Sequence, residues 1–197
     1  MTHPTPWAEP FERFGEVFAE ATAKISQDPN AVSLATVDAR GRPTVRVVLL
    51  KGYDQQGFVF YTNTRSTKGR ALGETRVAAL NFYWPALARQ VRVEGLAEPV
   101  SDAEADDYFA TRPRSSQLGA WASHQSEVLT DRSELEARLA ETTRRFEGRP
   151  VPRPPHWSGF RVRPDRIEFW RAHEFRLHWR EAYVKAGDGW QHQWLNP

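Results

Sequence analysis

The chain has 197 residues, enough for one ordinary domain with a real core, and 27 basic against 25 acidic residues give a formal net charge of +2. That balance argues against a nucleic-acid partner held by bulk charge, and the lack of cysteine excludes disulfides, thiol catalysis and cysteine-ligated metals. Apolar runs are short and no basic segment leads into an apolar core at the start, so the expectation is no membrane span, no signal peptide and a cytoplasmic location.

Met1 to Pro10, with three prolines, reads as a loose start. Phe11, Phe14, Phe18 and Ala21 recur at helical spacing and predict an amphipathic helix to about Lys24, packed on the rest of the fold. With residues 1–30 as an N-terminal segment, 31–197 is expected to form a single domain. Ala31 to Val37 is a strand with Val32 and Leu34 on one face, turned by Asp38-Ala39-Arg40-Gly41. Arg46 to Lys51 is a second strand with a cation at each end. Residues five apart on a regular strand point to opposite faces, so Arg46 and Lys51 either serve two anions or a bulge turns one of them. A turn over Gly52 to Gly57 leads to the strand Phe58–Thr62. The loop Asn63-Thr64-Arg65-Ser66-Thr67-Lys68-Gly69-Arg70 then gathers hydroxyls, three cations and a glycine at the start of a helix. Ser66 or Thr67 can cap that helix, and free N–H groups beside cations suggest a bound phosphate.

Arg76 to Tyr83 is a strand stopped by Trp84-Pro85, and Arg89 to Glu98 is another, with Gln90, Arg92 and Glu94 on a polar face. Ser101-x-x-Glu104 is a capping box for a short helix through Tyr108 and Phe109. Arg112-Pro113-Arg114 breaks it, and Ser115 or Ser116 is expected to cap the next helix through Trp121. Asp131 to Phe146 is the longest helix, followed by a proline-rich connector over Pro150 to Pro155. Strands are predicted at Phe160–Val162, Ile167–Trp170 and Arg176–Lys185, with Gly187-Asp188-Gly189 turning into Trp190–Leu195. About eight strands with inserted helices predict a mainly β fold, a β-barrel with helical decoration.

No GxGxxG and no GxxxxGK[ST] occurs, so neither usual nucleotide fingerprint is present. His173, Glu174 and His178 are too weak a pattern to predict a metal, and none is expected. Tyr108, Arg112 and Ser116 are spaced by four, which groups a phenol, a guanidinium and a hydroxyl. Their residues alone leave a phosphate site and a solvated helix face equally open.

Arg46–Lys51 (RVVLLK), FVFYTN and the Ser-x-Lys loop, taken together with RQVRVEG at 89–95, YFATRPRSSQLGAWASHQS at 108–126, WSGFRV at 157–162, IEFW at 167–170 and RLHWR at 176–180, resemble the pyridoxamine/pyridoxine 5′-phosphate oxidase family. The similarity runs from about Ala31 to the C-terminus in the family's order. It implies an FMN-binding split β-barrel that forms a homodimer, with both chains contributing to each site. By the resemblance, Arg46 and Lys68, with Thr67 beside it, match the FMN-phosphate loop. The backbone of Arg46, Val47, Val48 and Leu49, with Tyr61 and Thr62, matches the flavin lining. Gln90, Gln125, Ser126, Trp170 and Arg180 match further FMN contacts. Lys51, Tyr108, Arg112 and Ser116 match the substrate-phosphate site, and Arg176 and His178 the residues over the substrate's pyridine ring.

Three positions depart from the family. Thr67 stands where an arginine is usual, with Arg65 two residues earlier as a possible replacement. Arg171-Ala172-His173 replaces a glycine-rich loop, and no Arg-x-x-Tyr element precedes Phe11. The implied activity is oxidation of pyridoxamine or pyridoxine 5′-phosphate to pyridoxal 5′-phosphate, by hydride transfer from C4′ to flavin N5 and reoxidation by dioxygen, with release of hydrogen peroxide. The protein supplies binding and orientation, the cofactor the redox chemistry. The rival readings are a split-barrel oxidase of another substrate, such as a phenazine precursor, and a non-catalytic FMN- or pyridoxal-phosphate-binding protein.

Overall fold

The computed structural model describes residues 9–197, which form five α-helices and a nine-stranded antiparallel sheet among the described residues. The predicted loose start through Ala8 lies outside them. Helix α1 (Glu9–Lys24) begins earlier than predicted and takes in Pro10, whose missing N–H costs nothing in a first turn. Its buried stripe of Phe11, Phe14, Val17 and Ala21 enters the main core, where Phe14 meets Phe58 and Phe82 at ring-centroid distances of 4.8 and 5.1 Å.

Strand β1 (Ala31–Val37) alternates buried and half-buried positions and pairs with β2 (Pro43–Leu49) on one side. On its other side lies β5 (Val77–Trp84), which pairs with β6 (Arg89–Pro99). β6 lies along β7 (Trp157–Arg171), and β7 also pairs with β4 (Gly57–Asn63) through its first half and with β8 (Trp179–Ala186) through its second. β3 (Gly52–Asp54) pairs with β4, and β9 (Gly189–Trp194) with β8. The sheet therefore forks at β7. Because β2 runs directly into β3 through Leu50 and Lys51, its two ends curl toward each other as a half-barrel.

Several predicted boundaries move, each for a backbone reason. The strand predicted over Arg46–Lys51 ends at Leu49, because Leu50 turns into the core and its N–H donates to the Asn30 carbonyl. Lys51 is then free of the period-two rule that set it against Arg46. The turn predicted over Gly52–Gly57 is mostly β3, with the reversal confined to Gln55-Gln56, where Asp54 Oδ1 accepts from the Gln56 N–H. The two strands predicted at Phe160–Val162 and Ile167–Trp170 are one 15-residue strand. A register shift opposite Glu94 and Gly95 absorbs Asp165 beside Pro164, which is how a strand interior accommodates a proline. Nine strands stand where about eight were expected.

The helical insert comprises α3 (Asp102–Thr111), α4 (Arg114–Ala122) and α5 (Arg132–Arg145). Ser101 caps α3 by accepting from the Glu104 N–H, as predicted. Neither Ser115 nor Ser116 caps α4. The helix starts after Pro113, and no side chain caps it. Past Pro99, at the end of β6, the chain enters this insert, which lies against the Tyr61 end of β4, where Phe109, Leu118, Phe146, Val151 and Trp157 form a second, smaller core.

Candidate functional site

Helix α2 (Thr67–Thr75) carries the cationic loop as its first turn. Ser66 is the N-cap: its buried Oγ accepts from the Gly69 N–H and donates to the Asn63 carbonyl. Lys68 Nζ donates to Ser66 Oγ at 3.2 Å and to Gln125 Oε1 at 2.8 Å. Arg46, on β2, is held by the Leu34 carbonyl at 3.0 Å and Thr36 Oγ1 at 2.8 Å. Burial and then the Arg46 guanidinium push the Lys68 ammonium down to about 8. Burial also lowers the Arg46 guanidinium. Two cations are thus drawn together with no carboxylate paired to either among the described residues, an arrangement that a bound anion would complete.

Lys68 opens onto a groove of about 690 Å³, also lined by Val47, Val48, Leu49, Lys51, Tyr61, Thr62, Tyr108, Arg112, Ser116 and Gln125. Three cations line it and no acidic side chain does. At the α3–α4 break Tyr108, Arg112 and Ser116 meet, although the helix is interrupted there. Pro113 fixes the bend, and the Pro113 carbonyl receives the Ser116 N–H. Arg112 Nη1 is buried with no hydrogen-bond partner, and burial lowers its guanidinium against the opposing effect of Tyr108. An unpartnered buried donor beside a hydroxyl and a phenol fits an absent anion. Flat walls come from Tyr61, Tyr108 and Trp157, whose rings lie within 10° of parallel.

The remaining predicted residues lie elsewhere. Thr67 is exposed at the first position of α2, and Arg65 is exposed and does not line the groove. Ser126 follows Gln125 with φ 71° and lines a neighbouring cavity of about 210 Å³. Gln90 and Trp170, paired across β6 and β7, line another cavity of about 340 Å³ with Trp179 and Arg171. Arg180 on β8 donates through Nε and Nη2 to Glu168 at 2.9 and 2.8 Å and through Nη1 to the Asn196 carbonyl. Glu168, buried within β7, was not singled out from the sequence. Its one signal is a carboxylate between Ile167 and Phe169, on the face shared with Arg92.

Arg176 and His178 do not alternate on a strand. Arg171 pairs with Trp179, so 172–178 form the β7–β8 connection, and Arg176 sits in a 3₁₀ turn with φ 62° after Phe175 at φ 53°. Arg176 is exposed, and the His178 ring rests 4.8 Å from that of Trp170. The chain therefore offers two separate sets: a phosphate-ready groove, and a second set around Trp170, His178 and Arg180.

Residues 18–146 match the family described as pyridoxamine 5′-phosphate oxidase, and residues 157–197 match the pyridoxine 5′-phosphate oxidase C-terminal dimerisation region. The chain belongs to the pyridoxamine 5′-phosphate oxidase family. It is 58% identical over 189 residues to a pyridoxine/pyridoxamine 5′-phosphate oxidase of Myxococcus xanthus strain DK1622, covering 96% of this chain and 92% of that one. A relative of the same description from Rubrobacter xylanophilus is 57% identical, with 96% and 87% covered. Among solved structures, PhzG of Burkholderia lata 383, in complex with tetrahydrophenazine-1-carboxylic acid, superposes with a TM-score of 0.91 at 34% identity over 100% of this chain and 98% of that one. An FMN-binding protein of Nostoc punctiforme related to the family shares the fold, with a TM-score of 0.74 at 17% identity. Membership makes the chain an enzyme, an oxidase of the split-barrel type. Among the described residues no helix is long and apolar enough to cross a membrane.

Proposed function

We propose that the protein is an FMN-dependent oxidase converting pyridoxamine 5′-phosphate, pyridoxine 5′-phosphate or both to pyridoxal 5′-phosphate with dioxygen as acceptor. The observation that carries this is the acid-free groove, in which two cation groups on different elements each lack a carboxylate. Arg46, Lys68 and the α2 N-terminus would hold the FMN phosphate, with Val47, Val48, Leu49, Tyr61, Thr62 and Gln125 along the flavin. Lys51, Tyr108, Arg112 and Ser116 would hold the substrate phosphate. When bound, the flavin supplies the two-electron acceptor for oxidation at the substrate carbon. The chain's own part is to fix both phosphates so that the reacting carbon is presented in one geometry.

Gln90, Trp170 and Arg180, with Arg176 and His178 over the substrate ring, would come from a second copy of the chain, whereas Ser126, next to Gln125, would belong to the groove's own copy. Their separation from the groove supports a homodimeric site, as does the match to a dimerisation region. The rival substrate is a phenazine precursor, favoured by the close superposition on PhzG. Incubating the FMN-loaded protein with each B6 vitamer, phosphorylated or not, and with tetrahydrophenazine-1-carboxylic acid tests both. Pyridoxal 5′-phosphate and hydrogen peroxide should form together from a phosphorylated vitamer. Turnover of the phenazine compound alone would move the assignment to the rival, and absence of any peroxide would remove the oxidase reading.

A further inference from the structure

An arginine waiting for an anion needs something to aim it, and in most proteins a carboxylate does so at the cost of part of its charge. Arg112 is aimed differently. Among the described residues its side chain makes no ion pair and Nη1 is buried without a partner, yet Cζ lies 4.7 Å from the centroid of Trp157 and 5.5 Å from that of Phe109. Trp157 is buried, and Phe109 meets it edge-on at 5.0 Å and 70°, so the indole is fixed before the guanidinium rests on it. Tyr61 is 4° from parallel to Trp157 at 5.3 Å, and Tyr108 stacks on Tyr61 at 4.0 Å.

The backbone prepares this array. Gly159 lies opposite Tyr61 in the β4–β7 register, and a Cβ there would fall 2.8 Å from two Tyr61 ring carbons. Only a glycine lets the ring lie flat beside Trp157. Sequence, register and ring geometry thus converge on one platform beneath Arg112.

We propose that Trp157 is a positioning residue that holds the Arg112 guanidinium over its ring without neutralising it and with Nη1 free, so that the groove selects a phosphate monoester over the unphosphorylated compound. This rests on the reading of the Tyr108–Arg112–Ser116 end as the substrate-phosphate site. Stacking adds attraction and removes rotamer freedom without neutralising the cation, so the full charge meets the ligand.

The test compares Trp157→Leu, which keeps apolar volume without a flat face, with Trp157→Phe, which keeps the face. In the FMN-loaded enzyme Trp157→Leu should lower kcat/KM for pyridoxine 5′-phosphate by roughly threefold to thirtyfold, chiefly through KM. Pyridoxine itself should lose less than its phosphate does, so that discrimination narrows, and Trp157→Phe should restore most of it. A folded Trp157→Leu enzyme that keeps its preference for the phosphorylated vitamer, or loses both substrates equally, would overturn the proposal.

A second readout needs neither turnover nor the leucine variant. Titrating inorganic phosphate into the wild-type protein should perturb indole absorption as the cation over Trp157 is neutralised, and Trp157→Phe should abolish that signal. An unchanged difference spectrum in Trp157→Phe would overturn the proposal by itself. Should the wild type oxidise no B6 vitamer while the phosphate signal behaves as described, the failure belongs to the functional reading and not to the platform.

Discussion

Lys68 sits where its surroundings work against its charge, and that makes it measurable. Burial first, and Arg46 second, hold its ammonium at about 8, so above that pH the ligand-free protein has lost a proton that a phosphate dianion needs. The sign follows from linkage: binding favours the protonated lysine, so below pH 8 affinity for FMN is flat with respect to this group. Above pH 8 binding takes up a proton and weakens, by up to about tenfold per pH unit. Fluorescence titration of FMN between pH 7 and 10 should show that fall, and Lys68→Arg, which keeps its charge throughout, should flatten it. A wild-type affinity constant up to pH 10 would contradict the role given to Lys68. The sequence displayed this residue plainly, because a hydroxyl two positions before a lysine at a helix start is a local pattern. It could not display Arg112's platform, because Trp157 and Gly159 reach Arg112 only through the β4–β7 register. Nor could it place Arg176 and His178. Their spacing mimics strand alternation, and only the pairing of Arg171 with Trp179 shows that the segment is a connection.

At the scale of the element, α2 contains its own control. Gly69 and Gly73 are both helical glycines, yet a Cβ on Gly69 would lie 2.4 Å from the Thr64 carbonyl oxygen and 2.5 Å from that of Asn63, whereas nothing lies within 4 Å at Gly73. Gly73→Ala should therefore stabilise the protein by about 0.5–1 kcal/mol through helix propensity and leave FMN affinity alone. Gly69→Ala forces the loop that presents Ser66 and Lys68 away from the helix. It should destabilise by about 1–3 kcal/mol and weaken FMN binding. Urea unfolding with parallel FMN titration checks both, and similar behaviour of the two variants would mean that the close approach of loop and helix does not shape the site. Most elements were legible because their apolar periodicity matches what they bury: α1, β1 and the Ser101 and Ser66 caps lie where the pattern put them. The errors fall where long-range pairing overrides local pattern. β7 runs through Pro164 because β6 bonds on past the bulge, and β2 stops at Leu49 because the core claims Leu50.

For the whole molecule, the outer face of the sheet raises the question of what covers it. Val45, Val47 and Leu49 alternate along β2 with their side chains exposed, Val77, Tyr83 and Leu96 do the same on β5 and β6, and Phe175, Leu177, Trp179 and Trp194 cluster at the β8 end. So much exposed apolar surface on a chain that also divides its candidate site between a groove and a separate set is what a two-fold dimer would bury. If each site joins the groove of one copy to the Arg180 set of the other, Arg46→Ala and Arg180→Ala disable opposite halves of the same site. Either homodimer should then be inactive. Co-expression with two affinity tags isolates the hybrid, in which one site carries both changes and the other carries neither. Activity should return in the hybrid and bound flavin should approach one per dimer, against nearly none in either homodimer. A hybrid as inactive as its parents would place both arginines in one chain's site, and a monomer in sedimentation that retains full activity would remove the shared site altogether.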